Sequence, residues 1–125
     1  ALIFIKKAID AKKFAENAQK NTELYDYSYE NLFVMVPNTV EQVVEEATNQ
    51  HNCLATYVNR LISGDTCVAF IRYKENPDSS YVTCEIRDGA LVQIKGFSNS
   101  NPRTSELSKF IDKWCKAKKL VVHHW

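Results

Sequence analysis

The stretch "HNCLATY", residues 51–57, sets a histidine two positions before a cysteine and a tyrosine four positions after it. An imidazole beside a thiol can take its proton, or as imidazolium favour the thiolate, and a thiolate is the nucleophile of acyl and peptide chemistry. A helix beginning at Cys53 would add unpaired N–H groups that stabilise the same charge. Thiol enzymes of this kind usually draw their base from a later strand. The predicted strands here hold no histidine, and His123 and His124 stand at the C-terminal end. The ordinary alternative is an inert, packed thiol, because free cysteine is among the most buried residue types. A metal is a weaker reading. A structural zinc site takes about four ligands, His51 and Cys53 supply two, and no C-x-x-C or H-x-x-x-H spacing completes the set. Neither metal nor cofactor is expected.

Two further side chains complete the candidate catalytic set of His51, Cys53, Tyr57 and Glu85. Tyr57 and Arg60 are three apart, on adjacent turns of one predicted helix face. Glu85 falls on the polar face of a predicted strand. A helix packed over that face would bring these groups to one concave surface. The plain alternative is that Glu85 and Arg87 are solvent-facing strand residues, which alternation alone would produce.

These side chains need elements to hold them. Residues 4–20 carry Ile5, Ala8, Ile9, Phe14 and Ala18 close to one helical stripe. Tyr25, Tyr27 and Tyr29 alternate as in extended chain, and "NLFVMVP" reads as a buried strand ended by Pro37. A helix follows from Asn38 or Thr39 as its cap, with Val40, Val43, Val44 and Ala47 inward. "CLATYVNRLISG" is a second helix, closed by Gly64. Gly64–Asp65 turns the chain straight into strand, so this helix should run antiparallel to 66–73. Strands are predicted over 66–73, 80–87 and 90–97, the last two joined by the tight Asp88–Gly89 turn. In the third, Leu91, Gln93 and Lys95 are set against Val92 and Ile94. Residues 103–118 form a last helix with Leu107, Phe110, Ile111, Trp114 and Cys115 inward. "LVVHHW" reads either as a short strand or as an appended tail.

The totals fit that reading. One domain of 125 residues can hold a full core. It divides into N-terminal helices over 1–64 and a sheet with C-terminal helix over 65–125. The Met-less start suggests a piece of something longer. Net charge is +1, but its distribution is uneven. Residues 1–20 carry +3, residues 103–119 carry +4, and the middle carries −6. If the basic ends meet, they make one positive face suited to DNA or RNA, with Arg103, Lys113, Lys116 and Lys119 as the candidate phosphate contacts. The bland alternative is two solvated helices. No nucleic-acid recognition motif is present. The four cysteines are scattered, which suits a reducing, cytoplasmic compartment rather than a disulfide framework. No apolar run approaches the roughly 20 residues that span a bilayer, so no membrane partner is expected.

From His51 to Trp114 the chain resembles the PcfJ-like family. The resemblance is carried by "HNCLATYVNRLISGDTCVAFIRY", by "YVTCEIRDGALVQIKGFSN" with Tyr81, Glu85, Gly89, Gln93, Gly96 and Asn99, and by "ELSKFIDKW". It covers about half of the chain. It implies a setting on bacterial conjugative plasmids, integrative elements and phages, within proteins that are often longer. It implies no settled biochemistry. The expectation is an α+β domain, an antiparallel three- to four-stranded meander with helices on one face, that serves a mobile genetic element. It would bind nucleic acid or protein components of the DNA-transfer machinery. The alternative is an enzyme using the His51–Cys53 pair.

Overall fold

The computed structural model describes residues 2–123; His124 and Trp125, the end of the "LVVHHW" tail, lie outside them. The elements are α1 (Leu2–Tyr25), β1 (Tyr27–Tyr29), β2 (Leu32–Met35), α2 (Val40–Gln50), a 3-10 turn (Leu54–Tyr57), α3 (Val58–Ser63), β3 (Cys67–Tyr73), β4 (Val82–Arg87), β5 (Ala90–Lys95), a second 3-10 turn (Phe97–Asn99), α4 (Ser105–Lys118) and β6 (Val121–Val122). The class is α+β, as expected, but the sheet is larger than a three- or four-stranded meander. It has six strands in the order β1-β2-β3-β4-β5-β6, with β6 parallel to β5 and every other pair antiparallel. Strands begin at Tyr27, so the sheet is not confined to residues after 64.

The helices lie on both faces of this sheet, not on one. Alternation along β3 sends Cys67, Ala69 and Ile71 into a core with α4, where Leu107, Phe110, Ile111 and Trp114 are buried. Val68 and Phe70 enter a second core with Phe14 and Ala18 of α1, Val43 and Ala47 of α2, and Leu61 of α3. A central strand covered on both faces must be apolar at consecutive positions. Cys67 to Ile71 accordingly form an unbroken buried run.

Local chemistry sets the element ends. The Thr39 hydroxyl accepts the Gln42 N–H at the start of α2, while the Gln42 carboxamide oxygen accepts the Asn38 N–H, a reciprocal cap. Thr104 caps α4 in the same way through the Leu107 N–H. Gly64, at φ +85°, ends α3 in the left-handed conformation that glycine adopts without penalty. At the end of α3 the carbonyls of Leu61 and Ile62 accept hydrogen bonds from the Asn17 carboxamide of α1 at 3.2 and 3.0 Å. This stitches α1 to α3. The apolar stripe predicted for α1 is used only in its second half. Phe14 and Ala18 are buried, while Ile5 and Ile9 are exposed.

A buried polar network joins α2 to the sheet. The Glu46 carboxylate is fully buried and accepts Arg72 Nη2 at 2.8 Å and the hydroxyls of Ser80 and Thr83. Gln50 Nε2 donates to Thr83 Oγ1 at 3.3 Å. Each interior lone pair occupied in this way offsets part of the large cost of removing the charge from water.

Candidate functional site

Past the end of α2 the helical cover of the sheet thins out, and a concave surface opens over β4 and β5. Its deeper part is a cavity of about 280 Å³ walled by the 52–57 segment, by Thr83 and Glu85 of β4, by Gln93 and Lys95 of β5, and by Asn99. A shallower hollow of about 410 Å³ shares Tyr57, Glu85, Gln93 and Lys95 with it and runs on to Arg87, Asn101 and His123. The two together form one groove across the sheet.

Of the predicted catalytic set, the structure brings Cys53, Tyr57 and Glu85 to this cavity. It does not bring His51. That residue ends α2 in the left-handed conformation, φ 51°, and its N–H caps the helix. Its ring packs on Phe97 with centroids 4.6 Å apart. No hydrogen bond joins His51 to Cys53 among the described residues, so the imidazole–thiol pair expected from their spacing is not assembled. The helix start differs too. Cys53 precedes a four-residue 3-10 turn and makes no side-chain cap; the Asn52 carboxamide oxygen accepts the Leu54 N–H instead. The α-helix begins only at Val58, which withdraws the helix-terminus argument for a thiolate at Cys53. Cys53 is nonetheless exposed, unlike Cys67, Cys84 and Cys115. Burial pushes the Cys67 thiol up to about 12 and the Cys115 thiol up to about 11, and raises Cys84 as well.

Glu85 is not the solvent-facing strand residue that alternation alone allows; it is 5% exposed. The Thr66 hydroxyl donates to its Oε2 at 2.6 Å, and Arg87 Nε lies 3.3 Å from the same oxygen. Arg60 sets its guanidinium 4.2 Å from the centre of the Tyr57 ring. Gln93 stands directly across the β4–β5 ladder from Glu85. Lys95 Nζ donates to Asn101 Oδ1 at 2.7 Å.

Sequence reasoning gave no site role to Gln93, Lys95, Asn99 or His123, although Gln93 and Asn99 were among the residues that carried the family resemblance. A bulge hid the first two. Glu85 pairs with Gln93 but Ile86 pairs with Leu91, so Val92 is the extra residue. Leu91 therefore joins Ile94 in the core with α4, and the predicted grouping of Leu91 with Gln93 and Lys95 is wrong. Asn99 is held by the tight 96–102 loop, in which Ser98 and Asn99 are both left-handed, at φ 53° and 60°. Gly96 permits this packing: a Cβ there would stand 2.7 Å from Ser100 Oγ and 3.2 Å from Pro102. His123 reaches the groove because its N–H continues the β6 ladder to the Leu91 carbonyl at 3.0 Å.

The candidate phosphate contacts lie elsewhere. α1 packs through Phe14 and Ala18 on the side of the sheet opposite the α4 core, so the two basic helices are not packed against each other. On α4, Lys116 pairs with Asp112 at 3.1 Å, and Lys113 sits over the Tyr29 ring at 5.9 Å. Lys119 is the left-handed cap of the helix, and Arg103 lies just before it. Among the described residues no group of three or more His, Cys, Asp or Glu could hold a metal ion, and no helix is long and apolar enough to cross a membrane.

A protein of Listeria innocua serovar 6a, named only as uncharacterised, is 23% identical over 125 aligned positions, which take in 96% of this chain and 27% of that protein. The chain thus spans about a quarter of that relative's length. No solved structure matches. The family model of PcfJ-like proteins matches residues 5–111, from the first helix through the groove-forming strands and into α4, well beyond the stretch from His51 on which the sequence resemblance rested. On that match the chain belongs to the PcfJ-like protein family.

Proposed function

We propose that this chain is a binding module of a bacterial mobile genetic element and that the β4–β5 groove takes single-stranded nucleic acid. One observation carries the reading: a single groove gathers the three kinds of group such a ligand needs. Tyr57, half-buried and flanked by the Arg60 guanidinium, offers a stacking surface. Asn52, Gln93 and Asn99 offer amides that both donate and accept towards base edges. Lys95 and Arg87 supply positive charge for the phosphates. A duplex presents its bases edge-on inside grooves, whereas a cavity of about 280 Å³ suits an unstacked base.

The test is fluorescence anisotropy of labelled single-stranded oligonucleotides at low salt. Lys95→Glu combined with Arg87→Glu should weaken binding at least tenfold and flatten its dependence on salt, since each lost phosphate contact lowers that slope by about 0.7. Reversing Lys113, Lys116 and Lys119 to Glu should change it far less. If the α4 reversal abolishes binding and the groove reversal does not, the basic helix is the interface. If no oligonucleotide binds, the reading fails, and a protein component of the transfer machinery takes its place.

The enzyme reading keeps one observation in its favour, the exposed Cys53 thiol in the same cavity as Tyr57 and Glu85. It lacks an imidazole at that thiol, and binding explains the groove with the groups present.

A further inference from the structure

Glu85 is an unusual group to find in the wall of a groove for a polyanion. It is 5% exposed, and a carboxylate buried to that degree repels phosphate and costs free energy unless its oxygens are served. Only one of them is. The Thr66 hydroxyl and the Arg87 guanidinium both address Oε2. Among the described residues no hydrogen bond or ion pair reaches Oε1. Nor is that oxygen sealed off: among the described residues Arg72 Nε is the one buried side-chain polar atom without a partner. Oε1 is therefore not sealed from solvent, and the open space that Glu85 lines is the groove, where this oxygen can accept a hydrogen bond from a ligand. Thr66 and Arg87 hold the carboxylate in place, so the acceptor is preorganised.

Gln93, directly opposite on β5, lines the same cavity and can offer a carboxamide N–H to the same ligand. An acceptor next to a donor is the complement of an amino group next to a ring nitrogen. We propose that Glu85 is a base-reading residue: its Oε1 accepts the exocyclic amino N–H of a cytosine or adenine unstacked into the cavity, while Gln93 donates to the adjacent ring nitrogen. The proposal rests on the nucleic-acid reading of the groove and specifies what that groove selects. Thymine and uracil have no amino group. Their one N–H on that edge is flanked by two carbonyls, which the carboxylate repels. Glutamate accepting from the cytosine amino group is an established mode of readout, and a good paired contact separates right from wrong base by roughly tenfold or more.

Oligo-dC, oligo-dA and oligo-dT of one length carry the same phosphate charge, so comparing them isolates the base. The wild-type chain should bind oligo-dC and oligo-dA roughly tenfold more tightly than oligo-dT. Glu85→Gln, which keeps the shape and removes the charge, should bring the three within about threefold of one another, chiefly by weakening dC and dA. Should that variant fail to fold, Gln93→Ala reads the same pair from the other strand and should also level the preference. Equal wild-type affinities for dC, dA and dT, with binding still lost in the Lys95/Arg87 reversal, would overturn base reading and leave the groove as a general single-strand site. A preference that survives both Glu85→Gln and Gln93→Ala would overturn it equally. Absence of all binding would remove this inference and the reading beneath it together.

Discussion

At the scale of single residues, the four cysteines separate cleanly. Cys53 is exposed at the mouth of the cavity, while Cys67, Cys84 and Cys115 are packed in the core under α4, their thiols pushed up by burial. Labelling of the folded protein with iodoacetamide at pH 8 should therefore modify one thiol, Cys53, and the other three only after unfolding. Mass spectrometry of the modified peptides checks this. Fast labelling of Cys67 or Cys84 in the folded state would contradict the packing described. Cys53, Tyr57 and Glu85 were nominated from a predicted helix start, a predicted helix face and the polar face of a predicted strand, and all three line the cavity. The type of His51 was misleading. Its spacing from Cys53 suggested a pair, but a left-handed cap turns its ring away towards Phe97. Backbone conformation of that kind leaves little trace in residue identity when the cap is not glycine.

At the scale of elements, helix α2 is fixed to the sheet by its one buried carboxylate. Removing Glu46 would leave the Arg72 guanidinium, 2.8 Å away in the structure, buried with neither its counter-charge nor its main acceptor. Glu46→Ala should cost about 3 to 5 kcal/mol, the usual penalty for breaking a buried pair from one side. Urea denaturation measures it. Replacing both partners by apolar residues of similar size should cost much less than the two single losses together. A loss below about 1 kcal/mol for Glu46→Ala would mean that the pair is not sealed from water. Strands β3, β4 and β5 could be read in advance from β-branched and aromatic runs and from the Asp88–Gly89 turn, whose residues are both left-handed. The β1–β2 hairpin was harder to see. Its turn is Glu30–Asn31, with Glu30 at φ 51° and no glycine to advertise it. The sixth strand was legible only as one of two readings of "LVVHHW": β6 is two residues long and is held by its ladder to β5 rather than by any pattern of its own.

At the scale of the whole molecule, the uneven charge along the chain suggested one basic face, and the topology divides it. α4 packs on one side of the sheet, reaching β1, while α1, α2 and α3 pack on the other. What remains open is the part of β4 and β5 that neither layer covers, where the polar side chains of both strands converge. A layered arrangement of this kind depends on contacts far apart in sequence, such as Trp114 Nε1 donating to the Tyr25 carbonyl at 2.8 Å. No local pattern encodes such contacts. The bulge at Val92 adds to the difficulty, since it moves Gln93 and Lys95 to the groove side while sending Leu91 inward. The central claim is that this uncovered strip is the working face. Its most direct measurement is a titration of the isotopically labelled protein with a short oligo-dC, followed by backbone amide chemical shifts. The largest changes should cluster at residues 52–57, 83–87, 93–101 and 123, with Lys113 and Lys116 on the outer side of α4 little affected. Shifts concentrated along α4, with the groove unchanged, would contradict it.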